Sequence, residues 1–394
     1  MWFWDLLLGI YCLKILIWFG LLLTRKVRPE KPLQQMENEI LSVDVLLPMY
    51  NEERVVVKTI ENLLNIDYPG CNIIVVDDGS SDDSYQVACQ HFGDHPRVRI
   101  VRQNNAGKSA ALNRAMNLSE SDIIVCVDAD TLVRADIMDI ILPCFQDKKV
   151  AAVSGYIRVG NKVNLLTHMQ FIEYITLQNF ERSVFEDVNG ILVVPGALGA
   201  FRREVVKSLD GFTSKALAED CDITLRMLCA NYVIKNAAEA ISFTEAPDTV
   251  NMFFKQRVRW TVGLVQGLLR YAGQLTRHPN KALAFIVLPY TWCFRIVLPF
   301  LVPLADYFFL AGYFLLGNHE LLPVYLICMA AETFITGFIL VSEKQRFNPL
   351  QLIFMQKIFR HLVLFSYVCI FLRWTKGSLY KWNKIPRQGN VELD

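Results

Sequence analysis

The sequence has no charge surplus of either sign: 40 Lys and Arg stand against 39 Asp and Glu, a formal net charge of +1. That balance argues against nucleic acid or another polyanionic partner. The chain also lacks any CxxC pair and any Cys/His cluster at zinc spacing, although it holds ten Cys. Scattered thiols suit a reducing compartment better than a disulfide framework or a structural zinc site. His91 and His95 flank Gly93 with no third ligand nearby, so they read as a surface loop. No internal repeat or low-complexity tract is present. Two phosphate-binding signatures fail as well. Asn105-Ala106-Gly107-Lys108-Ser109 ends like a P-loop, but the glycine needed five residues before Gly107 is replaced by Arg102. The first strand runs into Pro48-Met49-Tyr50-Asn51-Glu52-Glu53 rather than GxGxxG, which excludes the dinucleotide-binding turn.

What the chain has in quantity is apolar surface: 53% of 394 residues, with mean hydropathy +0.28. Residues 1–23 are apolar apart from Asp5 and Lys14. They are long enough to span a bilayer core of roughly 30 Å. No basic region precedes them and no small-residue cleavage site follows, so they do not read as a removable signal. Arg25, Lys26 and Arg28 come next and predict an N-terminus outside and the following residues in the cytoplasm. Residues 29–39 read as a linker. Near the other end, residues 251–275 read as one helical segment. There Phe253, Phe254, Val258, Val262, Val265, Leu268 and Leu269 alternate with Lys255, Arg257, Arg259 and Arg270. Such a basic amphipathic helix suits the cytoplasmic membrane interface. Residues 282–316 are apolar but carry Pro289, Arg295, Pro299 and Pro303, too long for one upright helix and barely enough for two. Leu321 to Val341 is a clean span. Residues 350–373 carry Lys357, Arg360 and His361 in mid-segment, so they face a cavity or lie in the interface. Three C-terminal crossings would put the basic tail outside, whereas its charges put it inside. The charge rule is preferred, with the number of crossings left open.

Between these regions, strands alternate with helices. Val43 to Pro48, Cys71 to Val76, 97–101 and 123–127 read as strands. Residues 52–64, 83–92 and 107–118 read as helices. That alternation predicts a parallel sheet with right-handed crossovers. Ile123 to Val127 stops abruptly at Asp128 and Asp130. Ligands of open α/β sheets bind beyond such strand ends. Two carboxylates one residue apart suit either an Asx turn or a site where a divalent cation bridges two phosphates. Further on, Glu219 and Asp220 open a predicted helix over 223–229. Its positive end keeps a carboxylate ionised, which suits a base or simple capping.

Six motifs decide between these readings. Pro48-Met49-Tyr50-Asn51-Glu52-Glu53, Asp77-Asp78-Gly79-Ser80, Asn105-Ala106-Gly107-Lys108, Asp128-Ala129-Asp130, Glu219-Asp220 and Gln256-Arg257-Val258-Arg259-Trp260 stand in that order. Together they resemble the processive membrane glycosyltransferases of family 2, which include cellulose, chitin, hyaluronan and bacterial poly-N-acetylglucosamine synthases. The resemblance is close over about residues 40–275 and looser in the membrane region. It implies an α/β fold of the GT-A type, a Rossmann-like nucleotide-sugar domain with a mixed, mainly parallel sheet, plus an α-helical transmembrane region. The implied division is a transmembrane helix over 1–24 and a cytoplasmic catalytic domain over 36–250. An interfacial helix over 251–280, membrane or interfacial helices over 281–374 and a basic tail over 375–394 follow. The implied localisation is a multi-pass protein of the cell membrane.

The resemblance also implies roles. Tyr50, Glu52 and Asp78 match positions that hold the uridine, with Asp77 beside them. Lys108 matches a cation near the diphosphate, Asp128 a donor contact and Asp130 the ligand of Mg²⁺ or Mn²⁺. Asp220, with Glu219 beside it, matches the general base, and Gln256, Arg259 and Trp260 match the acceptor-holding motif. The implied reaction is an inverting transfer from a UDP-sugar, best read as UDP-N-acetylglucosamine, to a growing polysaccharide that then crosses the membrane. Implied partners are the donor, the acceptor chain, membrane lipid and a small membrane accessory subunit. The short C-terminus leaves no room for a cyclic-dinucleotide regulatory domain. The tail Gly377 to Gly389 resembles the ends of poly-N-acetylglucosamine synthases. Two other readings are a non-processive transferase adding one sugar to a lipid carrier, and a non-catalytic binding subunit. The latter predicts loss of Asp130 or Asp220, and both are present.

Overall fold

The computed structural model describes residues 9, 12, 13, 16, 17, 19, 20, 23, 41–379 and 386–393. The basic cluster Arg25, Lys26 and Arg28, the linker and most of the N-terminal span lie outside the described residues. Four apolar strands form the first half of the sheet: β1 (Val43–Met49), β2 (Asn72–Asp77), β3 (Val98–Arg102) and β4 (Ile123–Cys126). They pair in parallel in the order β3-β2-β1-β4. Val45, Leu46, Leu47, Ile124 and Val125 have no exposed surface, as strands covered on both faces require. Pro48 falls beyond the last β1–β4 partner pair, Leu46 with Cys126, where its missing N–H interrupts no pairing.

The crossovers are α1 (Val56–Leu64), α2 (Ser84–Phe92) and α3 (Lys108–Leu118). Helix α1 starts later than the sequence suggests. Asn51 adopts a left-handed φ of 53°. The Asn51 and Glu52 amides donate to the Ser80 and Ser84 hydroxyls at 2.8 and 2.6 Å. These bonds hold residues 51–53 as a loop against 80–84 instead of a first helical turn.

The sheet then becomes mixed. Past β4 come β5 (Thr131–Val133), α4 (Ile137–Ile141) and β6 (Val150–Val159). Helix α5 (Leu165–Glu173) passes through a π-helical turn, Tyr174–Asn179, into α6 (Phe180–Phe185). Strand β7 (Gly199–Arg202) runs antiparallel to both β4 and β6. After α7 (Arg203–Ser208) and α8 (Glu219–Cys229), β8 (Val233–Thr244) pairs parallel to β6 and antiparallel to β5. The Asn179 side chain donates to Ile157 O at 2.7 Å and accepts from Ile157 N at 3.2 Å, which pins the π-helical turn to β6.

Helix α9 (Val250–Arg270) ends at Tyr271 and a short α10 (Ala272–Thr276) follows, so the region read as one helix has a break. Residues 283–314 form one continuous helix, α11, of 32 residues. At 1.5 Å per residue that is about 48 Å, and tilt or bending accommodates the excess over a bilayer core. Two π-helical stretches, Leu283–Val287 and Thr291–Val297, adjoin Pro289 and Pro299 and absorb the bonds that proline removes. Helices α12 (Leu321–Ser342) and α13 (Pro349–Thr375) complete three helices that are long and apolar enough to cross a membrane. The charges inside α13 point inward. Lys357 Nζ lies 3.0 Å from Asp306 of α11, and Arg360 pairs with Asp306 and, at 3.4 Å, with Glu332 of α12.

Candidate active site

The site forms where β4 ends and the sheet changes direction. Asp128 and Asp130 follow β4 in a turn closed by the Thr131 amide, which donates to Asp128 O at 3.0 Å. Thr59 of α1 holds the turn from behind, its hydroxyl donating to Ala129 O at 2.6 Å. The turn alone is the local feature; Lys108 makes it a site. Its ammonium lies 2.5 Å from Asp128 and 3.0 Å from Glu219. Burial pushes the Lys108 pKa down, but Asp128, Glu219 and Asp220 outweigh it and hold the amine charged. Burial raises the Asp128 pKa, and the contact with Lys108 overcomes it, so this carboxyl stays ionised.

Lys108 is aimed by the loop before it. The Asp78 carboxylate accepts bonds from Gln103 Nε2 at 2.7 Å, Ala106 N at 2.9 Å and Gly107 N at 2.8 Å. Asp77 has no exposed surface; it pairs with Arg102 at 3.0 Å and accepts from Ser80 N at 3.2 Å. Both acids therefore organise the 78–107 loops. Gly79 has a φ of +72°, and a Cβ there would meet Asn105 N at 2.7 Å, so only glycine lets the two loops touch. Tyr50 and Glu52 stand at the edge of the same loops, half-buried after β1.

The opposite wall is the start of α8. Asp220 Oδ1 accepts from Cys221 N at 2.8 Å, and Oδ2 from Gly196 N at 3.3 Å. Burial and the neighbouring Glu219 push its pKa up to about 6, against the pull of Lys108. A carboxyl poised there is ionised at neutral pH yet basic enough to take a proton. Asp222, two residues on, locks α8 to α9. Its carboxylate meets Arg226 and Arg270 at 2.8 Å each and the Tyr271 hydroxyl at 3.0 Å. A Cβ on Gly263 would meet the Ala218 Cβ at 2.6 Å, so α9 lies directly on the residue before the Glu219-Asp220 pair.

That contact brings Gln256, Arg259 and Trp260 into the cavity that Lys108, Asp128, Glu219 and Asp220 line. Gln256 Oε1 is buried and accepts no hydrogen bond among the described residues. Trp260 stands 6.0 Å from the Tyr174 ring, and the Arg257 guanidinium lies 4.7 Å over Trp260. Arg257 is itself anchored by Glu173, with its second nitrogen 2.6 Å from that carboxylate. The cavity continues past Trp260 to Glu332 and Arg360 between the membrane helices.

Asp130 is 4% exposed, and burial, then Asp128, push its pKa up against the guanidinium of Arg387, which lies 2.8 Å from Oδ2. Oδ2 accepts no hydrogen bond among the described residues despite that distance, so the contact is charge pairing in which no guanidinium N–H is aimed at the oxygen. Arg387, Glu245, Glu173 and Gly196 belong to the site without having been singled out in the sequence as site residues. Of these, Gly196 had a local signal, since the run Gly196 to Arg203 stands out in composition. A Cβ on Gly196 would fall 2.7 Å from Lys108 Nζ. The Gly196→Ala protein should fold normally, because the end of a lysine can move, but with Lys108 shifted. A misplacement near 1 Å costs up to about 10²-fold in rate. A loss of turnover at unchanged melting temperature is expected; wild-type turnover would show that the position of Lys108 is unimportant.

Comparison with known proteins gives the following. A family described as Glycosyltransferase like family 2 matches residues 42–263. The "Probable glycosyltransferase YdaM" of Bacillus subtilis (strain 168) is 33% identical over 255 residues, 63% of this chain and 61% of that protein. The chain thus aligns with less than two thirds of that relative. A "Poly-beta-1,6-N-acetyl-D-glucosamine synthase" of Staphylococcus epidermidis is 26% identical over 390 residues, 92% of this chain and 93% of that one. Its namesake in Staphylococcus aureus (strain COL) is 29% identical over 272 residues, 68% and 65% of the two chains. Among solved structures, the mannosyltransferase PcManGT of Pyrobaculum calidifontis, in complex with GDP-Man and Mn²⁺, superposes with a TM-score of 0.65. It covers 94% of this chain and 99% of its own at 21% identity, a likeness of fold.

Proposed function

The chain belongs to glycosyltransferase-like family 2, and we propose that it polymerises a UDP-sugar, UDP-N-acetylglucosamine, into a β-linked polysaccharide. Glycosyl transfer is its activity; the sugar and the repeated addition are the proposal. The observation that carries it is the shared cavity. Asp220 faces the same space as the Lys108–Asp128 pair and Trp260, and that space continues between the membrane helices. Near full-length similarity to a poly-N-acetylglucosamine synthase supports the choice of sugar.

In this reading Asp220 removes the proton from an acceptor hydroxyl as that oxygen attacks the anomeric carbon from the face opposite the leaving diphosphate. The displacement inverts the anomer. Trp260 offers an aromatic face to the acceptor sugar, and the Gln256 oxygen accepts from one of its hydroxyls. Tyr50, Glu52 and the Asp77-Asp78 loop bound the uridine end. Lys108 lies beside Asp128, where a cation offsets the charge growing on departing UDP. A divalent metal fits Asp130: its carboxylate is a hard, buried oxygen ligand whose Oδ2 accepts no hydrogen bond among the described residues, and diphosphate and water could complete the shell. Bound there, Mg²⁺ or Mn²⁺ would stabilise the leaving diphosphate.

The tail supports an even number of C-terminal crossings, with the tail and the catalytic domain on one side of the membrane. Residues 386–393 contact Glu245 and Gly160 of the catalytic domain. The polar stretch 376–385 before them cannot cross hydrocarbon in extended form. Glu343, just past α12, accepts from the Tyr156 hydroxyl at 2.9 Å, which supports an α12 that ends on the same side as the catalytic domain. Phe359 in mid-α13 meets Phe253 of α9 at 5.6 Å. In this reading α11 and α12 cross, and α13 lies along the interface.

Incubating the purified protein with a panel of radiolabelled UDP-sugars, then sizing and digesting the product with glycosidases, tests the proposal. Long product from UDP-N-acetylglucosamine is expected. Polymer from another UDP-sugar would overturn the substrate, and a single sugar on a lipid would overturn repeated addition.

A further inference from the structure

The last described residues, 386–393, lie across the catalytic domain as a strap. The Gln388 and Gly389 amides donate to the two oxygens of the Glu245 carboxylate at 2.8 and 3.0 Å. Arg387 Nη1 donates to Glu245 O at 2.8 Å. Lys58 holds Val391 O, and Val391 is buried between Leu132 and Phe243. The Glu392 amide reaches Gly160 O at 3.3 Å, where a Cβ on Gly160 would strike Val391 at 2.5 Å. This chain of contacts delivers one guanidinium to the carboxylates beyond β4. The charges acting on Arg387 are Asp130, Glu52, Glu245 and Asp128, in that order.

We propose that Arg387 is the resident counter-cation of Asp130, which the metal must displace, so that metal binding and release of the strap are one equilibrium. The inference rests on the reading of Asp130 as the metal ligand. Three observations carry it. The guanidinium stands 2.8 Å from the oxygen a metal would take, and a hard cation binds oxygen at about 2.0–2.2 Å. Two cations cannot both sit against one carboxylate oxygen, because their repulsion in a poorly solvated site is large. Among the described residues the pairing also lacks a hydrogen bond to Oδ2, so a metal that coordinates this oxygen displaces no directional bond from them. Arg387 thus prevents several carboxylates from repelling one another before substrate arrives, and it lowers metal affinity by holding the site in a metal-excluding form.

Mn²⁺ titration of the full chain in detergent, read by the electron paramagnetic resonance of free Mn²⁺, tests this without turnover. If the Arg387-released form is about a tenth of the population, Arg387→Gln should bind Mn²⁺ about tenfold more tightly. Arg387→Lys, which keeps the charge, should stay near wild type. Unchanged or weaker Mn²⁺ binding by Arg387→Gln would overturn the proposal. Asp130→Asn separates the two readings. If it still binds Mn²⁺ like wild type, the metal assignment itself fails; if it loses binding while Arg387→Gln is unchanged, only the present inference fails. Limited trypsin digestion gives a readout on the unmutated chain, because trypsin must capture the Arg387 side chain. Mn²⁺ with UDP should speed release of the peptide that begins at Gln388, and an unaltered rate counts against the strap moving.

Discussion

Asp220→Asn is expected to cut turnover by about 10²–10⁴-fold, the span usual for loss of an acid–base group. The substitution keeps the side chain's size, and its amide oxygen can still accept from Cys221; it removes the basicity and the second acceptor, which takes the weaker 3.3 Å bond from Gly196. UDP-sugar binding should therefore stay near wild type. The pH dependence follows from the same environment. The Asp220 pKa is pushed up to about 6, by burial first and Glu219 second, so transfer should fall as pH drops through that value. The stability effect has the opposite sign. The folded pKa lies above the unfolded one, so charging Asp220 opposes folding at neutral pH, and that cost fades as pH falls through about 6. Relief of that cost offsets the lost Gly196 bond, so Asp220→Asn should melt close to wild type at pH 7 even though it is inactive. A residue whose role was only to cap α8 would behave the other way: turnover would survive and the melting temperature would fall. Normal turnover by Asp220→Asn would remove the mechanism and leave the family assignment standing.

Removal of the metal should have an effect at least as large. EDTA on wild-type protein, and Asp130→Asn without chelator, should each reduce transfer by roughly 10³-fold or more, since a Lewis-acid contact to a leaving diphosphate is worth several kcal/mol. The two treatments complement each other. Asp130→Asn also removes the charge that faces Arg387, so some of its effect can come from a displaced strap. Chelation touches no side chain and is reversed by added Mn²⁺ or Mg²⁺. Full activity in EDTA would eliminate the metal role, and Lys108 would then be the cation to examine at the diphosphate.

Much of the candidate site was legible in the sequence. Asp128 and Asp130 announce themselves because a run of five β-prone residues stops at them. Glu219 and Asp220 do so because a helix begins there. Strands β1, β2 and β4 were legible because residues buried on both faces leave continuous apolar runs, and the edge strand β3, VRIVR, because it alternates between the helices that flank it. Two details differ for local reasons. Helix α1 starts at Val56, since Ser80 and Ser84 hold the preceding amides. Residues 283–314 stay in one helix, with π-helical stretches beside Pro289 and Pro299 taking up the missing bonds and Pro303 inside a regular α-helical stretch.

The sequence by itself determined the fold class and the family, and singled out charged residues that the fold gathers around one cavity, because each leaves a signal within a few neighbouring residues. Only the tertiary structure decided how they act together. Asp78 proves to aim the loop before Lys108, and Lys108 proves to join Asp128 to Glu219. Glu173 anchors the Arg257 that lies over Trp260, and Gly263 sets the distance from α9 to Ala218, the residue before Glu219 and Asp220. Arg387 reaches Asp130 from the far end of the chain. None of these contacts has a periodicity or a cap to betray it. A charge pair forms wherever folding brings two side chains within a few ångströms, and burial then makes it strong, whatever their separation along the chain.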